Sequence, residues 1–190
     1  LTGWVPVGMG KSYPYAEASD GQPGRFEFSG EGEAPVQVAY AVYAENGADS
    51  LYRGTFYIPV KPVQEVGEED YDTSAEIYAG HVSEGQAELR PVTGKIGFIV
   101  NQDDIALCRI SVGQDNALAG EVKVVMTQNP KVKPSEHSLR SVEVKGAMKK
   151  GKMYYAVVAA EDYMEFEVEF ENSFGVKVYE TRYSGYYPLS

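Results

Sequence analysis

Few residues in this chain could do covalent, acid–base or metal chemistry. They are one cysteine, Cys108, two histidines, His81 and His137, and two acidic stretches, Glu68-Glu69-Asp70-Tyr71-Asp72 and Asp103-Asp104. A nucleophilic thiol needs a lowered pKa, supplied by an imidazolium, another cation or a helix N-terminus. Cys108 lies instead inside Ile105-Ala106-Leu107-Cys108-Arg109-Ile110, an apolar run that reads as the site of a buried structural thiol. As the only cysteine it closes no internal disulfide, so the fold needs no covalent staple. The histidines sit in Gly80-His81-Val82-Ser83 and Ser135-Glu136-His137-Ser138, both read as polar loops. A serine hydrolase needs Ser, His and an acid converging on one pocket, and no nucleophile-elbow motif is present. A calcium loop wants carboxylates at alternating positions before a glycine, a pattern absent from both acidic stretches, which read as solvated loops.

Other chemistries fail on spacing. No Cys/His set matches a zinc site. Gly3, Gly8 and Gly10 near Lys11 do not make a phosphate-binding loop. A glycosidase pair must face each other across a cleft, whereas Glu165, Glu167, Glu169 and Glu171 lie on one face of a single strand. The residues therefore lead us to expect no catalytic group, no cofactor-binding group and no metal ligand. Aromatic clusters are the remaining candidates. Trp4, Tyr13 and Tyr15 crowd one end of the sequence, and Tyr179, Tyr183, Tyr186 and Tyr187 the other. Aromatics at the surface stack on sugars or anchor protein interfaces.

The elements that must position these residues are strands. Alternation of apolar and polar residues with period two dominates the chain. The clearest case is Glu165-Phe166-Glu167-Val168-Glu169-Phe170-Glu171, with Phe, Val and Phe on one face and four glutamates on the other. Runs of the same kind cover Val36–Tyr43, Gly54–Ile58, Lys95–Val100, Leu107–Val112, Glu121–Met126, Ser141–Lys145, Met153–Ala159 and Val176–Tyr179. Turn dipeptides such as Asp20-Gly21, Pro23-Gly24, Asn46-Gly47 and Lys150-Gly151 separate them. The best helix candidate is a short one around Asp72 to Ala79. Pro59 to Gly85 reads as a long connection, which is unusual inside one compact domain. The expected fold is all-β, with an N-terminal sandwich over residues 1–87 and a C-terminal sandwich over 88–190.

Composition agrees and removes some partners. The 190 residues are 43% hydrophobic, enough for a core, and contain 15 tyrosines against one tryptophan, which suits pleated surfaces. A formal net charge of -11 repels phosphate backbones and anionic headgroups, so nucleic acid is not an expected partner. No stretch approaches the length of a membrane-spanning helix.

Several segments together resemble the fimbrillin-like surface proteins of Bacteroides and related bacteria. In the first half they are Gly24–Gly30, Val38-Ala39-Tyr40-Ala41-Val42-Tyr43, and Phe56-Tyr57-Ile58-Pro59-Val60-Lys61-Pro62-Val63-Gln64. In the second half they are Leu89–Phe98, Cys108–Val112 with Ala117–Gly120, and Lys150–Ala159 followed by Phe166–Phe170. The resemblance implies two tandem antiparallel β-sandwiches of transthyretin-like, Greek-key form. It implies export as a lipoprotein precursor to the cell surface, outer membrane or fimbrium. The family has a region upstream of the part matching Trp4, with a lipidated cysteine and an early strand. Membrane attachment is thus expected only through a lipid anchor outside this chain.

The function expected on these grounds is non-enzymatic: a fimbrial subunit or tip-adhesin component that assembles by β-strand addition. Its partners would be other fimbrial subunits or host or bacterial surface receptors, with Val176–Ser190 as the donor or accepting edge. The alternative is a surface carbohydrate-binding module that uses the aromatics on glycans.

Overall fold

Alternating sequence becomes alternating burial along strand after strand. In the computed structural model Ile96 and Phe98, Val122 and Val124, and Val142 and Val144 turn inward, while the residues between them are partly or fully exposed. The structure describes residues 15–16, 25–26, 40–45, 50–52, 55–67, 69–83, 86–87, 89–113, 116–125, 130–159 and 163–187. Among the described residues there is no α-helix, and no helix long and apolar enough to cross a membrane. The strands are β1 (Tyr15–Ala16), β2 (Arg25–Phe26), β3 (Tyr40–Ala44), β4 (Ser50–Tyr52), β5 (Thr55–Val60), β6 (Val63–Glu65), β7 (Ile77–Ser83), β8 (Gln86–Ala87) and β9 (Arg90–Pro91). They continue with β10 (Thr93–Ile99), β11 (Ile105–Val112), β12 (Ala119–Val125), β13 (Lys131–Leu139), β14 (Ser141–Met148), β15 (Met153–Ala159), β16 (Tyr163–Asn172) and β17 (Lys177–Tyr187).

The largest sheet has five strands in the order β17-β16-β11-β14-β6. All its pairings are antiparallel except β14 with β6. A four-stranded sheet runs β13-β12-β5-β4, β10 pairs with β15, and β7 pairs with β3, β8 and β9. One residue, Val92, separates β9 from β10, and its N–H donates to Ile77 O at 2.8 Å. The path from β7 through β10 to β15 is therefore nearly continuous. Phe98 of β10 meets Phe170 of β16 with ring centroids 5.7 Å apart. That contact joins the β10–β15 pair to the five-stranded sheet across the core, in a sandwich-like arrangement.

In the stretch expected to be a long connection, 59–85, most of the described residues lie in or beside regular elements. It carries the end of β5, then β6, a 3-10 turn at Thr73–Ala75, and β7. The helix expected from Asp72 shrinks to that turn, with Asp72 as its N-cap accepting from Ser74 N. β5 pairs with β12 and β6 with β14, so strands from before residue 88 are built into sheets formed after it. Ile58, Val60, Val66, Ile77 and Ala79 share one apolar cluster with Ile96, Ile110, Val122, Val144 and Val158.

Candidate interaction edges

The side chains with chemical potential are dispersed or already occupied. Cys108 is fully buried in β11, and burial pushes its thiol pKa up, away from a reactive thiolate. His81 and His137, expected in loops, lie on strands β7 and β13. The glycine before His81 and the serines around His137 are turn-forming residues, and the ladders override them. Ser135 Oγ lies 2.8 Å from Glu121 Oε1, but it receives the backbone N–H of His137 at 3.0 Å rather than the ring. The His137 imidazole faces Glu136 at 3.7 Å and is largely exposed, so no proton relay reaches the serine.

Asp70 and Asp72 of the acidic stretch are tied into the fold, and Glu68 lies outside the described residues. Asp70 pairs with Lys152 at 2.7 Å. Asp72 accepts from Ser74 N at 3.1 Å and Glu65 N at 3.2 Å, and pairs with Lys61 at 3.4 Å. Burial acts to raise the Asp72 pKa, but these donors outweigh it and hold the carboxyl below its ordinary value. Asp103 and Asp104 are exposed in the turn before β11. Among the described residues no group of three His, Cys, Asp or Glu side chains could hold a metal ion. Buried Glu76 is held by Lys95 at 2.6 Å and by the hydroxyls of Tyr71 and Tyr78, a neutralised cluster inside the fold.

The informative features are strand edges. β15 is buried on both faces, with Tyr154, Ala156, Val157, Val158 and Ala159 all inaccessible. One of its edges pairs with β10. The N–H groups of the other would be buried and unpaired without partners. Tyr155 N donates to Asp70 O at 3.0 Å and Ala159 N to Leu118 O at 2.8 Å. Between them the fully buried side chain of Gln64 takes the place of a strand. Its Oε1 accepts from Val157 N at 2.9 Å, and its Nε2 donates to Val157 O at 2.6 Å and Lys61 O at 3.0 Å. The backbone of β6 meanwhile pairs with β14, and Val66 N donates to Lys145 O at 2.8 Å. This short segment thus fastens two sheets to each other.

The opposite end of the five-stranded sheet is built differently. β16 and β17 form a long hairpin whose tip is fixed by Asn172 Oδ1, which accepts from Phe174 N and Val176 N at 3.0 Å each. Gly175 takes φ +73° there, a conformation glycine adopts without strain. On the inner face Phe166 stacks on Tyr183 with centroids 5.2 Å apart, and Phe170 meets Tyr179 at 6.1 Å. The phenylalanines pack on the core, but Tyr179 and Tyr183 are 53% and 44% exposed. β17 pairs only with β16 among the described residues, so its outer edge lacks a strand partner there.

The outer face of the same strands carries charge. Arg109 of β11 bonds Glu143 of β14 at 2.9 Å, and Glu169 and Glu171 of β16 at 2.7 and 3.2 Å. Lys145 bonds Glu143 at 3.0 Å, and Lys177 bonds both Glu169 and Glu180. The Lys145 bond, followed by Arg109, holds the Glu143 carboxyl below its ordinary value against burial; Lys177 and then Arg109 do the same for Glu169. Of the four glutamates on that face of β16, Glu169 and Glu171 are therefore rungs of a cross-strand ladder. Sequence reasoning missed Gln64 and Arg109 as organising residues; an amide among valines and a lone arginine in an apolar strand were the available signals. Trp4 and Tyr13 lie outside the described residues, as do the side chains of Tyr15, Tyr186 and Tyr187. No protein-family model, curated protein or solved structure matches this chain.

Proposed function

We propose that this chain is an exported, non-enzymatic surface protein of fimbrillin-like kind, a fimbrial subunit or tip component that engages its partners by β-strand addition. The observation that carries the reading is the outer edge of β17: eleven residues long, aromatic on its inner face, and without a strand partner among the described residues. Such an edge offers backbone hydrogen bonds for affinity and side-chain positions for specificity. The C-terminal stretch is already paired to β16, which favours its acting as an accepting edge rather than a donor. Tandem transthyretin-like sandwiches over 1–87 and 88–190 enter the proposal in modified form, with β5 and β6 of the first half lent to sheets of the second. Glycan binding is a second reading, favoured by the exposed Tyr179 and Tyr183 rings. Lectin-type binding on a glycan array, lost in Tyr179→Ala, would support it.

The test uses cells of the source organism. Antibodies against the purified chain should label intact cells, and unboiled extracts should give heat-labile oligomers on denaturing gels. Unlabelled cells with a single monomer band would overturn the proposal.

A further inference from the structure

We propose that the partner at this edge is a second copy of the same chain, docked β17 against β17 in antiparallel register about Thr181. The inference rests on the reading of β17 as an accepting edge and names what fills it. Directly opposite residues of an antiparallel ladder project on the same face. Tyr179, Thr181 and Tyr183 share the face of Phe170, Val168 and Phe166, while Glu180 and Arg182 share the face of Glu169 and Glu167. In a two-fold pairing centred on Thr181, Glu180 stands opposite Arg182 of the second copy, and Arg182 opposite Glu180 of the second copy. Tyr179 stands opposite Tyr183 of the second copy in the same way, twice.

No other register centred between residues 179 and 183 does this. Centring on Glu180 or Arg182 sets like charges against each other. Centring on Tyr179 sets Glu180 against Val178, and centring on Tyr183 sets Arg182 against Ser184. The Thr181 register also extends both existing patterns across the joint. The charge ladder running from Lys145 through Glu143, Arg109, Glu169 and Lys177 to Glu180 continues into Arg182 of the second copy. The Phe166–Tyr183 and Phe170–Tyr179 pairs continue into tyrosines of the second copy. Arg182 has no ion-pair partner of its own among the described residues, and Glu180 meets only Lys177 there. Sheet edges avoid pairing through short strands, charges, prolines or bulges, and the charges of this edge, Glu180 and Arg182, are complementary in the Thr181 register. From Tyr179 to Tyr183 the ladder with β16 is regular, and the inward positions are Tyr, Thr and Tyr.

The decisive experiment is sedimentation of the purified chain over a range of concentrations, with Glu180→Arg and Arg182→Glu variants alone and mixed. The wild type should dimerise. Each single variant sets like charges across the joint twice and should weaken self-association by roughly tenfold or more. An equimolar mixture of the two variants restores both ion pairs and should recover a dimer of one copy of each. Unchanged circular dichroism confirms that the variants are folded, and amide protection over residues 178–184 should rise with wild-type concentration. A wild type that stays monomeric, single variants that dimerise as tightly as it does, or a mixture that does not associate overturns the pairing. Monomeric wild type beside labelled cells and heat-labile oligomers would sink this inference and spare the surface-assembly reading. A dimer from cells that do not label would do the reverse.

Discussion

The five-stranded sheet ends in two opposite ways. At one end β6 contributes three residues and the side chain of Gln64, which reaches the buried N–H and C=O of Val157. At the other end β17 contributes eleven residues and leaves its outer edge without a described strand partner. A buried edge cannot be left open, because each unpaired N–H or C=O loses its water without compensation. An edge facing solvent can stay open at little cost, and is then available to another chain. The contrast sets an end of the sheet that holds the fold against an end that, on the reading proposed above, engages a partner, and it can be tested by breaking each end in turn.

The largest effect is expected at Gln64. Replacing it with Leu keeps the volume roughly constant but strands the N–H and C=O of Val157. We expect a loss of about 3 kcal/mol or more in urea unfolding. Gln64→Glu should be as damaging at neutral pH, since a carboxylate cannot donate to Val157 O. A variant within about 1 kcal/mol of wild type would show that β15 does not depend on this amide. Gly146→Ala comes next. Its φ is +142°, and a Cβ there would lie 2.5 Å from Val66 O, where β6 leads out against β14. The backbone must move, at a cost of about 2 kcal/mol in the same assay.

The middle of the sheet should respond less, and with a pH signature. Arg109 is about one-third exposed and bonds carboxylates that burial only partly shields, so its contribution must be discounted for solvent screening. Arg109→Met is expected to cost about 1 kcal/mol at pH 7. The pKa values of Glu143 and Glu169 are depressed in the fold. Their contribution is complete above the ordinary carboxylate pKa and is lost as pH falls through the folded value. The cost of the substitution should therefore shrink as the pH falls below the ordinary carboxylate range and through the lowered folded values. A cost that stays constant from pH 7 to 3 would mean that Arg109 acts through its aliphatic stem rather than its charge.

How much of this could be read from the sequence follows from the distances involved. Strand identity is local: Phe166, Val168 and Phe170 alternate with glutamates, and that alone fixes two faces. The closure of β15 is not local, since Gln64 and Val157 are 93 residues apart and nothing near either announces the other. Pro62 and the acidic stretch after Gly67 look like loop chemistry, which hid β6 between them. Gly80 disguised β7 in the same way. Arg109 could be seen as an arginine in an apolar strand, but its partners Glu143 and Glu169 are 34 and 60 residues away. The exposure of Tyr179 and Tyr183 was not legible, because alternation places side chains on a face without saying what covers it.

The smallest effects on folding are expected at those two tyrosines. Tyr183 stacks nearly parallel on Phe166, and Tyr179 is tilted and further from Phe170. Such pairs contribute about 0.5–1.5 kcal/mol when well packed, and less where half the ring faces solvent. Tyr183→Ser should therefore cost under about 1 kcal/mol, and Tyr179→Ser less again. Either substitution replaces a ring with a side chain too short to cross to a neighbouring strand, while leaving the backbone edge intact. If the outer edge of β17 is a contact surface, these variants stay folded and lose association. If either destabilises the chain as much as Gln64→Leu, the hairpin belongs to the core, and the two ends of the sheet do the same job.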